Sequence, residues 1–203
     1  MENCCRSGNL ILLSSPSNLT MDVIVGVSGA SGAILAKRLL VELGKAGVTT
    51  HLVISDGADM IIEHELAGED LTQYADHSYG SMDFYAKISS GSFKTDGMVV
   101  VPCSMKTVGA IANGISHNLL VRAAEVCLKQ ERKIILVPRE APLSLIDLEN
   151  LTKAKKAGCS VIPPVLAFYP KPKTVDDTIN FVVGKILDSL GIDNKLYNHW
   201  EGK

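Results

Sequence analysis

The sequence of 203 residues has no apolar run near the roughly 18 residues that a membrane-spanning helix requires. It also lacks an excess of either charge sign: 21% of residues are charged and the net charge is −2. A strongly electrostatic nucleic-acid binder or a polybasic membrane anchor is therefore excluded, although a local basic pocket is not. Aromatic residues make up only 5% of a chain that is 46% hydrophobic, so we expect a mainly aliphatic core.

Paired cysteine motifs are missing as well. The five cysteines are an odd number, and no C-x-x-C or H-E-x-x-H pattern occurs. In a chain of this length we expect reduced thiols in a cytoplasmic protein, without a disulfide framework or a metal site. The apolar centre of residues 1–20, Leu10 to Leu13, is too short for a signal peptide. We therefore predict a disordered leader or over-extended start at 1–20 and one domain over 21–203.

From Met21 onward, short apolar runs alternate with segments of helical periodicity. The pattern predicts about five strands and at least six helices, with strands at 22–28, 50–55, 97–104, 133–140 and 159–164. Continuously apolar strands separated by helices indicate an α/β fold: a single doubly wound, Rossmann-like (flavodoxin-like) domain with a mainly parallel sheet. Ligands of such sheets bind beyond the carboxyl ends of the strands.

Three of these strand ends carry small polar residues. The first strand runs into G-x-x-G-x-x-G from Gly26 to Gly32, whose helix start offers N–H groups to a phosphate; a plain glycine turn is the alternative. Ser55 follows the second strand, and the neighbouring Asp56 is best read as part of a helix cap. The segment Ser104–Thr107 follows the third strand and begins a helix, while the buried thiol of Cys103 is expected to serve packing.

Charged pairs supply the remaining candidates. Arg139 and Glu140 stand between two prolines. The guanidinium of Arg139 could bind an anion and the carboxylate of Glu140 could act as an acid or base; alternatively, the two side chains form a salt bridge with each other. Arg122 and Lys129 are seven residues apart on one helix face, which alone predicts a solvated basic stripe.

Taken in order, several blocks resemble one family. They are GVSGASGA, ISSGSF, DGMVVVPCSMKT, NLLVRAAEVCLK, LVPREAPLSLIDLENL, VIPPVLAFYPKP and the final HWEG. Together they resemble the UbiX-type flavin prenyltransferases, including the B subunits of phenolic-acid decarboxylase systems, from about Met21 to Gly202. The resemblance implies a metal-independent transferase that joins a dimethylallyl group from dimethylallyl phosphate to N5 and C6 of reduced FMN. The prenylated FMN would serve a UbiD-type decarboxylase.

The resemblance also implies roles for individual residues. Those assigned to FMN are Gly29, Ala30, Ser31, Ser55, Ser104, Met105, Lys106, Thr107 and Arg139. Those assigned to dimethylallyl phosphate are Tyr169, Lys185, Ser90, Arg122, Lys129, Glu65 and Trp200. Lys185 stands where the family also uses arginine, so the charge is kept but a bidentate contact is not. The catalytic set is Glu140, Lys129, Arg122 and Ser31, with Glu140 as the candidate base.

Two other functions remain open at this point. One is an FMN-dependent decarboxylase of the related cysteine-decarboxylase type, although no histidine-centred motif accompanies this sequence. The other is a non-catalytic flavin carrier, which would not need a second phosphate site. The family resemblance further implies a homo-oligomer, typically a dodecamer, with no nucleic-acid or membrane partner.

Overall fold

The computed structural model describes residues 21–200 and 202, so the predicted leader at 1–20 lies outside the described residues. Six strands and six α-helices alternate along this part of the chain. They are β1 (Asp22–Val27), α1 (Ala33–Lys45), β2 (Thr49–Ile54), α2 (Asp56–Leu66), β3 (His77–Tyr79), β4 (Gly97–Cys103), α3 (Met105–Asn113), α4 (Leu119–Lys129), β5 (Lys133–Pro138), α5 (Leu145–Lys156), β6 (Ser160–Val161) and α6 (Val175–Leu190). No helix in this part of the chain is long and apolar enough to cross a membrane.

The strands form one parallel sheet in the order β3-β2-β1-β4-β5-β6. The predicted doubly wound α/β fold is therefore confirmed. The strand order reverses between β1 and β4, which are paired in the sheet centre with Val25 opposite Val99. A crevice at such a switch point is where doubly wound folds bind their ligands.

Side chains that alternate along the strands feed two separate cores. Val23, Val25 and Val27 of β1 pack on one face with α1, α2 and α6, whereas Ile24 packs on the other face with α3, α4 and α5. The period of two places successive residues on opposite faces of the sheet. Helices therefore cover both faces of the sheet. The edge formed by the carboxyl ends of the strands remains open between these two layers of helices.

Two predictions about the edge strands are wrong. The sixth strand, β3, was not predicted because its three residues lie at the sheet edge and are not continuously apolar. The strand predicted at 159–164 is only Ser160–Val161, although the N–H of Ile162 still donates to the Leu136 carbonyl at 2.8 Å. Pro163 and Pro164 have no N–H to donate, so the ladder cannot continue through them.

Candidate active site

Backbone hydrogen bonds tie four loops together along the carboxyl edge of the sheet. The Ser55 N–H donates to the Val27 carbonyl at 2.9 Å, and the Ser28 N–H donates to the Pro102 carbonyl at 3.2 Å. The Arg139 N–H donates to the Cys103 carbonyl at 3.1 Å. The loops after β2, β1, β4 and β5 thus lie side by side. The predicted flavin residues at 29–31, 55, 104–107 and 139 all belong to these loops or to the helix turns that follow them.

Ser28 connects the loops after β1 and β4 at the switch point. Its side chain is buried, its hydroxyl donates to the Pro102 carbonyl at 3.0 Å, and it accepts from the Ser104 N–H at 2.8 Å. The hydroxyl is therefore used to join the loops after β1 and β4. The sequence alone does not indicate this role of Ser28, because no local pattern reveals a partner 76 residues away.

Glycine is required at position 29 by a neighbouring loop. A Cβ placed on Gly29 would lie 2.9 Å from the carbonyl oxygen of Gly57 in the first turn of α2. This distance is shorter than a van der Waals contact between such atoms allows, so a side chain here would force two backbone segments apart. The exposed backbone of Gly29 lies directly beside the edge where a flat ligand would sit.

The start of α3 is arranged for an anionic or polar ligand. The Ser104 hydroxyl caps the helix by accepting from the Thr107 N–H at 3.4 Å, and it lies 3.1 Å from the Thr107 hydroxyl. This cap leaves the N–H groups of Met105 and Lys106, which have no acceptor within a helix at these positions, for a bound molecule. Met105 and Thr107 are buried, while Lys106 is exposed.

The start of α1 differs from the start of α3, because a carboxylate of the protein already accepts hydrogen bonds from its N–H groups. Glu65 accepts from the N–H groups of Gly32 and Ala33, each at 2.9 Å. The expectation that these N–H groups are free for a phosphate is therefore wrong. Burial would raise the pKa of Glu65, but hydrogen bonds from Ser31 and from these two N–H groups, together with the positive charge of Arg139, hold this pKa below its usual value.

Arg139 and Glu140 stand exposed at the end of β5. In the described part of the chain they form no ion pair with each other; Glu140 instead accepts from the N–H of Ala141 at 3.1 Å. The alternative interpretation of a mutual salt bridge is wrong, and both groups remain available to a ligand. Cys103 beneath them is fully buried, and burial raises the pKa of its thiol, as expected of a packing residue rather than a nucleophile.

Three of the predicted phosphate-site residues gather around α4. The Arg122 Nε donates to the Ser89 carbonyl at 3.2 Å, and its guanidinium pairs with Glu125 at 2.9 Å. Ser90 follows in the same loop, with its hydroxyl 2.9 Å from that of Ser92, and Lys129 ends the helix, exposed. This α4 group (Ser90, Arg122 and Lys129) lies on the face of the sheet covered by α3, α4 and α5.

Three further predicted phosphate-site residues gather around α6, whereas the seventh, Glu65, lies at the start of α1. The ring of Tyr169 packs edge-on against Trp200, with centroids 6.1 Å apart, and against Phe181 at 5.8 Å. Lys185 lies on the same helix, with its Nζ 3.1 Å from the Tyr197 hydroxyl. This α6 group (Tyr169, Lys185 and Trp200) belongs to the opposite face, which α1 and α6 cover. The role of Tyr197 was missed by sequence reasoning.

The α6 group lies away from the crevice of its own chain. The Lys133 Nζ, at the first residue of β5, donates to the carbonyl of Ser189 at 2.6 Å. The end of α6 therefore lies at the amino ends of the strands, and Lys185 is only about one helical turn from it. Within one chain the structure gathers the flavin residues, but it leaves the α4 and α6 groups on opposite faces of the sheet.

In residues 21–200 and 202, three or more histidine, cysteine or acidic side chains nowhere cluster in a way that would hold a metal ion. The polar groups at the crevice are instead hydroxyls, backbone N–H groups and a guanidinium. These donors suit the phosphate and the polar ring edge of a flavin nucleotide. Fold and site together define a flavin-binding protein of the doubly wound class.

Comparison with known proteins narrows this class. The family model described as Flavoprotein matches residues 13–187. The flavin prenyltransferase UbiX of Methanocaldococcus jannaschii is 50% identical over 182 residues, which cover 89% of this chain and 98% of the relative. This chain thus belongs to the UbiX-type flavin prenyltransferases within the flavoprotein family.

Two solved structures agree with this assignment. The crystal structure of AnUbiX (PadA1) in complex with FMN and dimethylallyl pyrophosphate has a TM-score of 0.87 and 40% identity, and the match covers 91% of this chain and 99% of that one. The dodecameric FMN-dependent Ubix-like decarboxylase from Escherichia coli O157:H7 has a TM-score of 0.85 and 45% identity, covering 90% and 100%.

Proposed function

We propose that this protein transfers a dimethylallyl group from dimethylallyl phosphate to N5 and C6 of reduced FMN and thereby makes prenylated FMN for a UbiD-type decarboxylase. The observation that carries the proposal is the alignment of four loops at the β1–β4 switch point. These loops bring together the residues expected to hold FMN, in a chain that is 40% identical to a structure containing FMN and dimethylallyl pyrophosphate.

FMN is proposed to lie along the carboxyl edge of the sheet. Gly29, Ala30 and Ser31 would meet it from the loop after β1, with Ser55 and Arg139 on either side and Ser104–Thr107 at the start of α3. Reduced FMN supplies the two nucleophilic atoms, N5 and C6. The chain contributes a close-fitting backbone at Gly29 and a helix start whose N–H groups favour negative charge.

The α4 and α6 groups are proposed to receive the prenyl phosphate. When the allylic C–O bond of the substrate breaks, negative charge builds up on the departing phosphate. Arg122, Lys129 and Lys185 provide three cations to stabilise that charge, while Ser90 and Tyr169 provide hydroxyl donors. Trp200 lies against Tyr169 and would cover the prenyl chain, which needs an apolar wall that excludes water.

Proton removal is assigned to Glu140. Its carboxylate is exposed beside the proposed flavin contact Arg139 and is not consumed by an ion pair with that residue. Glu65 is held by the start of α1 within the electrostatic reach of Arg139, and Ser31 also hydrogen-bonds to its carboxylate. We propose that Glu65 and Ser31 fix the loop after β1 while Glu140 acts as the base, with the departing phosphate as a second proton acceptor.

We further propose a homo-oligomer whose active sites lie between protomers. One chain cannot bring the α4 group, the α6 group and its own crevice together, because the first two lie on opposite faces of the sheet. Neighbouring copies can supply the missing groups to each crevice. The Ubix-like protein from Escherichia coli O157:H7 is dodecameric, and we propose the same state here. The three buried, free cysteines in the described residues are consistent with a cytoplasmic location.

The two alternatives account for fewer of these features. A cysteine-decarboxylase mechanism needs an active-site histidine, yet no histidine occurs in the edge segments 28–32, 55–57, 104–107 or 139–142. A flavin carrier would bind FMN without any use for the cations of the α4 and α6 groups.

The test is anaerobic incubation of the purified protein with reduced FMN and dimethylallyl phosphate, followed by mass spectrometry of the flavin. We expect a flavin that is heavier by one C5 prenyl unit. The same mixture with oxidised FMN is the control and should leave the flavin mass unchanged. Unmodified FMN in the reduced sample, with flavin demonstrably bound, would favour the carrier.

A further inference from the structure

The ammonium of Lys185 is held by two neighbours on the same face of the molecule. Its Nζ lies 3.1 Å from the Tyr197 hydroxyl and 3.4 Å from Oδ2 of Asp188. The Tyr197 hydroxyl donates its own proton to that same carboxylate oxygen. The hydroxyl therefore lies between a cation and an anion, accepting from one and donating to the other.

The segment that follows α6 fixes Tyr197 in this place. The side-chain N–H of Asn194 donates to Oδ1 of Asp188 at 2.8 Å and ties the segment to the helix. Gly184 leaves room for the tyrosine, since a Cβ there would lie 2.5 Å from Cδ1 of the Tyr197 ring. The ring also packs edge-on against Phe181 at 5.1 Å, and Phe181 in turn contacts Tyr169. The hydroxyl is thus placed by packing on several sides.

A lysine beside a carboxylate is a poor phosphate ligand if the two close into a tight ion pair. Asp188 would then compete with the substrate for the ammonium. The proton that Tyr197 donates to Asp188 satisfies part of the carboxylate charge and weakens its hold on Lys185. Hydrogen bonding to Tyr197, and then the long ion pair of 3.4 Å with Asp188, raises the pKa of Lys185, so the ammonium stays charged at neutral pH.

We propose that Tyr197 is a positioning residue for the prenyl phosphate: its hydroxyl keeps Lys185 from closing onto Asp188, so that the ammonium remains available to the phosphate. The proposal rests on the proposed function of Lys185 as a phosphate ligand. It assigns a task in phosphate recognition to the chain segment after α6, which the sequence motifs marked only by Trp200.

The chain offers a matched control in a second cluster of one lysine, one carboxylate and one tyrosine. Lys37 pairs with Glu69 at 2.6 Å, and the Tyr74 hydroxyl donates to the same carboxylate. The Lys37 ammonium also lies 5.6 Å from the centre of the Tyr74 ring. This cluster involves α1 and the turn at 71–74, and no residue of it is assigned to a ligand. Tyr74→Phe therefore removes an equivalent hydroxyl where no phosphate is expected.

The experiment measures the Kd of dimethylallyl phosphate by calorimetry on the FMN-loaded protein in air, where oxidised FMN prevents transfer. We expect Tyr197→Phe to weaken binding about tenfold to a hundredfold, the usual scale for one hydrogen bond to a charged group. FMN affinity and melting temperature should stay at wild-type values, because the ring and its packing are retained. Tyr74→Phe should bind dimethylallyl phosphate as the wild type does.

Two double variants separate positioning from a general structural role. In a Lys185→Met background, and in an Asp188→Asn background, Tyr197→Phe should have little further effect on the Kd. An unchanged Kd in Tyr197→Phe, or an equal additional loss in Lys185→Met, would overturn the proposal. A wild type that binds dimethylallyl phosphate but never prenylates FMN would contradict the proposed function alone. A wild type that does not bind this phosphate would contradict both.

Discussion

The crevice at the β1–β4 switch point and the cations proposed for the prenyl phosphate are built in opposite ways. The crevice is closed by backbone hydrogen bonds between neighbouring loops and by the buried hydroxyl of Ser28, all within one chain. The cations stand on side chains of α4 and α6, on opposite faces of the sheet. The proposed function therefore predicts that the FMN crevice forms within the folded chain, whereas prenyl transfer requires the assembly.

The largest effect is expected from Glu140→Gln, which removes the base but leaves the crevice intact. Prenylation of reduced FMN should slow by about 10²–10⁴-fold, the usual contribution of a general base, while FMN content is unchanged. The measurement is single-turnover product formation by mass spectrometry. Glu63→Gln, which changes an exposed carboxylate on α2, is the control and should react at the wild-type rate. Unchanged turnover in Glu140→Gln would remove this residue from the mechanism.

The next largest effect is expected from a double substitution that weakens the assembly and leaves the residues of the crevice unchanged. Leu145 and Ile146 begin α5 with 70% and 69% of their surfaces exposed, as expected of an apolar contact between copies. Replacing both with Asp should place charges in that contact and reduce the oligomer, measured by light scattering. We expect FMN to remain bound while prenylation falls by at least about tenfold. A smaller assembly that prenylates FMN at the wild-type rate would contradict the view that prenyl transfer requires the oligomer.

A substitution at Gly29 is expected to have the opposite effect: it should weaken FMN binding and leave the assembly intact. Gly29→Ala puts a Cβ 2.9 Å from the Gly57 carbonyl, so we expect FMN affinity to fall about tenfold, measured by fluorescence titration. The control is Gly44→Ala in α1, where an added Cβ meets no atom within 4 Å. This substitution should slightly stabilise the helix, because alanine has a higher helix propensity than glycine. Equal FMN affinity in the two variants would show that the close approach of the loops does not shape the site.

The smallest effect concerns the acid stability of the loop after β1. Because the pKa of Glu65 is held below its usual value, the ionised carboxylate stabilises the fold at pH values above about 4.5, and this stabilisation is lost as the pH falls through the lowered pKa. We expect the melting temperature of the wild type to approach that of Glu65→Gln by a few degrees as the pH is lowered from about 6 to about 3. The control is Glu63→Gln, which changes an exposed carboxylate two residues earlier on α2, and it should follow the wild-type curve.

The strong periodic elements were predictable from sequence because their signals are local. The four central strands lie within two residues of their predicted bounds, and the six predicted helices are all present in the described residues. Edge strand β3 is too short and too polar to carry a pattern, and β6 is cut short by prolines. Periodicity reports burial, and both edges of the sheet are only half covered.

The candidate site divides along the same lines. The strand-end motifs and the family resemblance predicted the residues proposed for FMN, and these residues lie along one edge because parallel strands bring their carboxyl ends together. Sequence could not show that Glu65 would occupy the start of α1, nor that Tyr197 would meet Lys185 and Asp188. Those contacts depend on how distant helices pack. Motifs also could not show that the phosphate residues fall on two faces of the sheet.

The most direct test of the central claim is complementation between two inactive variants in one assembly. Glu140→Gln and Lys185→Met chains are produced separately and also co-expressed in equal amounts, and prenylation of reduced FMN is measured in each sample. If the two residues reach each active site from different protomers, random mixing restores about a quarter of the sites and of the wild-type activity. If both residues act within one protomer, every site keeps one defect. Activity no higher than that of either variant alone would contradict the account.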